Sequence, residues 1–537
     1  MDPIEASKEH VIQGRESRRH KTLPSLPPAE RDRLIATYHP DTKADSYRAI
    51  RIGPNAGDRT VHELAELLEA ESPITDGVDL TPQQIVDVLV VGGGGAGCAA
   101  ALACQEQGAD VLLVTKLRLG DSNTVMAQGG MQVAIGNDDS PITHFYDTLR
   151  GGHYKNDPKL LRILVEEGPE AARWLLKLGV LFDRDEQGNL KIKKGGGSSK
   201  PRLLTCTDYT GLEIMRVLKD EVQNRGISIS EFSPVIELLS TPDGRCTGAI
   251  LKNLDNGQLL VIAAKTVILA TGGSGRLHIQ GFPTSNHYGA TGDALVLAYR
   301  IGARLLHPDT FQYHPTGAVY PEQLAGALVT EGIRSDGSQL VNAKGERFVN
   351  EMDTRDVVSS AIIRECIEGR GVHTPAGRMG VWLDVPMVDL IHGEGALVKR
   401  FPAMLKQFSR YHIDIRTEPV LIYPTLHYQN GGVQIDVHGE SSVKNLFVAG
   451  EASGGLHGRN RLMGNSLLDL IVFGKRAGQA AARRAKETRP GKVTLEHVKR
   501  FRAELKVAGI TPKRTSPLIL PDYVRREEEP IPVTTKH

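Results

Sequence analysis

Residues Ile85-Val86-Asp87-Val88-Leu89-Val90-Val91-Gly92-Gly93-Gly94-Gly95-Ala96-Gly97 decide the fold. Ile85 to Val91 is apolar and mostly β-branched apart from Asp87, as a buried parallel strand requires. Gly92 to Gly97 then reads GxGxxG. Residues 98–107 are alanine-rich and predict a helix, and residues 109–115 predict a second strand. A strand, glycine turn, helix and strand within about 30 residues make a dinucleotide-binding unit. Gly92 permits the tight turn, Gly94 lets backbone approach a pyrophosphate, and Gly97 lets helix and strand pack closely. The pyrophosphate would sit at the N-terminus of the helix that follows, whose free N–H groups and dipole favour an anion. The second strand ends Val114-Thr115-Lys116, without the acid expected on a ribose hydroxyl. Either Thr115 and Lys116 make that contact differently, or the acid comes from elsewhere.

Two later segments favour a flavin over a nicotinamide. Thr266-Val267-Ile268-Leu269-Ala270-Thr271-Gly272-Gly273 reads as a strand entering a glycine turn. Asn445-Leu446-Phe447-Val448-Ala449-Gly450-Glu451-Ala452 reads as another, ending in glycine and a carboxylate. FAD is long enough to need loops from strands this far apart, and Glu451 could supply the missing acceptor.

The chain has 537 residues, 65 Lys plus Arg against 64 Asp plus Glu, and a formal net charge of +1. That length allows several domains, and the balanced charge removes the electrostatic case for a nucleic-acid binder. Hydrophobic residues are 40% and charged residues 24%, ordinary globular usage. The apolar runs fall well short of the ~20 residues of a spanning helix. Cys98, Cys104, Cys206, Cys246 and Cys366 form no CxxC pair, which argues against disulfides and against a cysteine-held zinc or iron–sulfur cluster in this chain. The polar start, Met1 to Thr22, has no apolar signal core, and a reducing cytoplasmic setting is expected. Residues 1–80 read as an extension with two short helices, packed on the main body or on a partner.

Between the two flavin-type strands lie three clusters: His307 to Gly317, Thr330 to Arg334 with Glu351 to Asp356, and His427 to Gly432 with His457 to Arg461. The histidines lack zinc-ligand spacing, and neither a GxSxG elbow nor a Walker loop is present. Arg and His converging on one site suit a small anion, because the guanidinium fork matches carboxylate oxygens.

On these motifs the chain resembles the flavoprotein family of fumarate reductase, succinate dehydrogenase and L-aspartate oxidase, from about Val86 to about Ala482. Gly92 to Gly97 match its first FAD turn. Thr124-Val125-Met126-Ala127-Gln128-Gly129-Gly130 match its TVAAQGG-like stretch. Gln312 to Thr316 match QxHPT, Thr330 to Arg334 match TExxR, and Thr354-Arg355-Asp356 match the segment of the catalytic arginine. His427 matches HYxxGG, and His457 to Leu467 match HGxNRxxxNSL. The resemblance implies an α/β fold: a Rossmann-type FAD domain from 81–313 and 430–485, an inserted α+β capping domain at 314–429, and a short helical and extended tail at 486–537. It implies hydride transfer between flavin N5 and a dicarboxylate carbon. Arg355 would be the proton donor, Glu331 and Arg334 its relay to solvent, and His314, Thr330, His427 and Arg461 the carboxylate binders. Implied cofactor contacts are Gly92, Gly94, Gly95, Ala96, Gly97, Thr115, Lys116, Ser122, Asn123, Thr124, Gln128, Gly129, Gly130, Ala270, Thr271, Gly272, Asp293, Glu451, Ser466 and Leu467.

The departures are informative. Members that attach FAD covalently use the histidine of an SHT motif; here it reads Ser122-Asn123-Thr124, so FAD is expected to be non-covalent. Aspartate oxidases carry a Glu beside a GGHS-like element, where this chain has Gly195 before Gly196-Gly197-Ser198-Ser199. No acid lies between Lys191 and Lys200, which ranks an unaminated dicarboxylate above aspartate. Gln429-Asn430 puts a polar residue where the family's HYxMGG has Met. About 50 residues follow Ala482, short of the family's C-terminal helical domain. The expected activity is fumarate–succinate interconversion, with an iron–sulfur subunit or another donor as electron partner and membrane association only through such a partner. L-aspartate oxidase is the alternative, and a catalytically silent relay or assembly flavoprotein is a third.

Overall fold

The computed structural model describes residues 3–489 and 491–521. Strand Gln84–Val91 sits inside a seven-stranded sheet. On one side it runs parallel to Val111–Val114, which runs parallel to Ser228–Ser230. On the other it runs parallel to the long strand Leu259–Leu269. The first half of Leu259–Leu269 also pairs antiparallel with Cys246–Lys252, while Leu446–Val448 joins its last three residues in parallel. The two flavin-type strands therefore meet: Leu269 lies beside both Val91 and Val448.

Helix Gly95–Glu106 follows the glycine turn and buries its alanine-rich surface against helix Asn465–Glu487. Small residues set that approach: a Cβ on Gly478 would come 2.4 Å from the Ala100 carbonyl oxygen. The helix begins at Gly95 rather than residue 98, because glycines are tolerated in a first turn held by the preceding strand.

Strands Phe311–Ala318 and Val420–Gln429 pair antiparallel and anchor a five-stranded sheet with Met379–Asp384, Gln339–Val341 and Val372–His373. Helix Arg355–Ile367 is buried along almost its whole length against this sheet. Val357, Ala361, Leu383, Met404 and Phe408 belong to a second apolar core there.

The N-terminal extension packs on both bodies. Helix Pro3–Gln13 places Ile4 and Val11 against Trp382 and Leu421, and Arg15 and Arg18 close on the fully buried Asp384 at 2.9 and 2.6 Å. Helix Pro28–Tyr38 lies on helix Arg355–Ile367. Tyr47, Leu64, Leu67 and Leu68 then join the core of the dinucleotide-binding body. In the C-terminal region, Glu496–Val507 forms one helix; residues 510–521 beyond it hold neither helix nor strand, with Thr515 bridged to Glu71, and the rest of the tail expected to be extended lies outside the described residues from 522 on. All five cysteines are buried and unpaired, and no helix among the described residues is long and apolar enough to cross a membrane.

Candidate active site

The glycine turn opens onto a cleft. Gly92 to Ala96 form its floor, with Thr115 and Lys116, Ser122 to Thr124, Ala270 to Gly272, Asp293, Glu451, and Ser466 and Leu467 around it. The backbone demands the glycines. Gly92 has φ +119°, and a Cβ there would sit 2.3 Å from the Ala270 carbonyl oxygen. A Cβ on Gly97 would lie 1.8 Å from the Gly92 carbonyl oxygen. Gly94, the N-cap, offers no side-chain cap, and only Thr124 Oγ1 reaches in, accepting from the Gly95 N–H at 3.2 Å. A glycine-floored cleft at an uncapped helix N-terminus is what a pyrophosphate needs. The residues therefore fit a bound FAD.

Three expected cofactor contacts behave as anchors. Lys116 Nζ is ion-paired with Asp293 at 2.7 Å and donates to Thr291 Oγ1 and the Leu518 carbonyl, so its donors hold the cleft wall together. Asn123 is locked: its Nδ2 donates to Glu451 Oε2 at 3.0 Å, and its Oδ1 accepts from the His287 N–H at 2.7 Å. Glu451 Oε1 also accepts from the Gln429 N–H, and burial pushes its carboxyl above the usual range. Gly97, Gln128, Gly129 and Gly130 do not line the cleft. Gly97 is consumed by helix–strand packing, Gly129 abuts Met463, and Gly130 abuts Leu203 to Thr205.

His427 and Tyr428 line the cleft, and charged side chains from both bodies converge around Gln312 and Glu331. Arg355, the first residue of its helix, donates through Nε to Glu331 Oε2 at 2.9 Å and through Nη1 to Gln312 Oε1 at 2.9 Å. Arg461, on the loop before helix Asn465–Glu487, donates through Nη2 to the same Gln312 oxygen at 2.9 Å. Gln312 Nε2 donates to Asn460 Oδ1 and the Arg461 carbonyl, which fixes the amide's orientation. Glu331 also accepts from the Gly196 N–H at 3.1 Å and lies 3.4 Å from Arg334 Nη2.

Two guanidiniums thus face one carboxylate, a third, Arg461, is joined to Arg355 through Gln312, and Glu351 is committed to Arg347. Glu331 stays below the usual carboxylate range: burial pushes it up, but Arg355 and Arg334 outweigh that. Arg461 is pushed down to about 10 by burial and by the charge of Arg355. Its Nε has no hydrogen-bond acceptor among the described residues. A buried cation in that state would gain from an added anion.

The two histidines complete the wall, their ring centroids 5.1 Å apart. Burial, then Arg355, holds both well below the usual histidine range, so both are neutral. His314 Nδ1 accepts from the Thr316 N–H at 3.2 Å, which puts its proton on Nε2. His427 Nδ1 is 2.7 Å from Ser285 Oγ. Thr330 serves locally as the N-cap of helix Glu331–Ser335, accepting from the Gly332 N–H.

The residues expected to form the relay stand in line: Arg355 bonds Glu331, Glu331 faces Arg334, and the buried Arg334 donates on to the Glu351 carbonyl at 2.6 Å. Two contributors escaped assignment from sequence. Gln312 was visible in its motif, but a single sequence carries no sign that an amide bridges two arginines. Gly196 was visible only as part of a glycine run; a Cβ there would sit 2.3 Å from Glu331 Oε1.

Comparison with known proteins agrees with this geometry. A family model described as an FAD binding domain matches residues 87–467. One component of the fumarate reductase (CoM/CoB) of Methanothermobacter marburgensis is 42% identical over 409 residues, covering 74% of this chain and 73% of the relative. L-aspartate oxidase of Streptomyces coelicolor is 38% identical over 403 residues, covering 73% and 67%. Among solved structures, a mutant E. coli quinol fumarate reductase FrdA chain superposes with TM-score 0.71 at 31% identity, covering 80% of this chain and 74% of that one. The chain belongs to the FAD-dependent oxidoreductase family of fumarate reductase, succinate dehydrogenase and L-aspartate oxidase.

Proposed function

We propose that this chain interconverts fumarate and succinate, or a close unaminated dicarboxylate, as the flavoprotein component of a larger electron-transfer assembly. The observation that carries the reading is the charge of the buried cluster. Arg355, Arg461 and Arg334 outnumber Glu331, and burial and the charge of Arg355 depress Arg461. Two carboxylates would restore the balance.

FAD, held non-covalently because Asn123 offers no nucleophilic ring nitrogen, would supply the two-electron chemistry. Arg461, with the Nε2–H of His314 and with His427, would grip the carboxylates and stabilise the charge that develops on them. Arg355 would give a proton to the adjacent carbon, and Glu331, bonded to its Nε, would restore it. Residues 314–429 are read as the cap that closes over substrate and excludes water. With its cysteines buried and scattered, the chain would receive electrons from an iron–sulfur subunit or a soluble donor.

L-aspartate is the second reading, favoured by the Streptomyces relative. The cluster speaks against it, since an ammonium would meet excess positive charge. The oxygens of Glu331 already face Arg355, Arg334 and the Gly196 N–H. One test separates the readings. Fumarate should reoxidise the chemically reduced holoenzyme, and L-aspartate should leave the oxidised flavin spectrum unchanged. Arg355→Ala should keep its flavin, release it in acid, and lose at least a thousandfold of turnover. Bleaching by aspartate, or a variant with near-native activity, would overturn the proposal.

A further inference from the structure

The two arginines that would meet substrate come from different bodies, and only a few bonds set their separation. Gln312 is one bridge. A second lies 2.7 Å long between His153 Nε2 and Asp356 Oδ2. Asp356 follows Arg355 directly, in the first turn of the same helix, and its other oxygen accepts from the Val357 N–H. His153 belongs to the opposite body, on the loop after helix Pro141–Gly151.

That loop is tied to the segment bearing Arg461. The Arg459 N–H donates to the Gly152 carbonyl, Asn460 Nδ2 to the Gly151 carbonyl, and Asn156 Nδ2 to the Leu456 carbonyl. The fit is tight, for a Cβ on Gly458 would lie 2.4 Å from the Gly152 carbonyl oxygen. His153 and Tyr154 both adopt φ +58°, two successive non-glycine residues in the left-handed region. Strain of this kind persists where surroundings over-determine it, and it gathers at functional sites. Tyr154 is exposed, so apolar burial of its ring does not account for the conformation.

We propose that His153 is a positioning residue: it latches the helix of Arg355 to the loop system of Arg461 and so sets the spacing of the two guanidiniums. The inference rests on the catalytic reading above for its effect on turnover, but not for the latch itself. The latch is proton-sensitive. The hydrogen bond to Asp356 raises the affinity of His153 for a proton; burial, Arg31 of the N-terminal extension and Arg459 oppose it. Asp356 in turn faces His39, and Asp353 lies near it. Because the folded value is raised, the charged pair is complete below the unfolded histidine value and is lost as pH rises through the folded one.

The test uses the FAD-loaded full chain and two variants. His153→Ala removes the bond; His153→Gln keeps an N–H donor but cannot titrate. Hydrogen exchange in the first turn of helix Arg355–Ile367 should quicken at least tenfold in His153→Ala and return to near native in His153→Gln. The native protein should loosen relative to His153→Gln as pH rises from about 6 to 9. With fumarate, His153→Ala should lose at least tenfold in kcat with less than threefold change in KM, and His153→Gln should recover kcat while flattening its pH profile. Exchange and kcat both unchanged in His153→Ala would overturn the proposal, as would failure of His153→Gln to rescue exchange. If exchange responds as stated but no dicarboxylate turns over in the native protein, the latch stands and the substrate reading falls.

Discussion

Replacing Arg461 by Met tests the charge argument, because binding and stability should move in opposite directions. Met is unbranched and fills the space of the arginine stem without adding a polar group. The substitution removes one cation from a cluster of three guanidiniums and one carboxylate. A guanidinium about 4 Å from a carboxylate, at the effective dielectric of about 20 that suits such sites, is worth about 4 kcal/mol. That is about three decades of affinity. KM for fumarate, measured anaerobically with a reduced dye, should therefore rise by about a thousandfold. The ligand-free protein should not suffer from the loss, since burial and Arg355 already disfavour the charge on Arg461. An apolar side chain in place of a cation that burial already disfavours removes that desolvation cost. The melting temperature of the FAD-loaded, substrate-free variant should hold or rise, and the upward shift that succinate gives the native protein should vanish. A rise in KM below tenfold, or a clear fall in melting temperature, would show that Arg461 is a satisfied structural cation and would refute the reasoning.

Gly97→Ala should cost at least tenfold in FAD affinity, read as flavin fluorescence released on dilution, because its Cβ would lie 1.8 Å from the Gly92 carbonyl oxygen; overpacking of this kind costs about 1–3 kcal/mol. KM for fumarate should show no limb near the ordinary histidine value. His314 and His427 are held well below it, so a KM change with a midpoint of about 6.5 would contradict their neutral, donor role.

Legibility followed range along the chain. The glycine turn could be read because strand, turn and helix are adjacent and each obeys a local rule: β-branched residues before it, glycines where a Cβ would collide, alanines after it. Thr266 to Leu269 was readable as a strand for the same reason. Its extension back to Leu259 was not, because residues 259–263 are held by antiparallel pairing with Cys246–Lys252, a partner that no local period announces. In the N-terminal extension, helices Pro28–Tyr38 and His62–Leu68 were readable, while Pro3–Gln13 was not. The extension's grip on Asp384 was invisible, since Arg15, Arg18 and Asp384 are polar residues whose burial depends on mutual pairing.

The site divides the same way. By itself the sequence determined that a dinucleotide turn exists, that no covalent flavin histidine stands at 123, and that arginines and histidines recur in clusters suited to an anion. Those are statements about residue identity and short spacing. Only the tertiary structure decided that Arg355 and Arg461 share the Gln312 oxygen, that Gly196 yields room and an N–H to Glu331, that Arg334 donates to the Glu351 carbonyl, and that His153 reaches Asp356. Each of these contacts joins segments far apart in the chain. Their energies depend on burial and on neighbouring charge, which exist only once the two bodies have closed on each other.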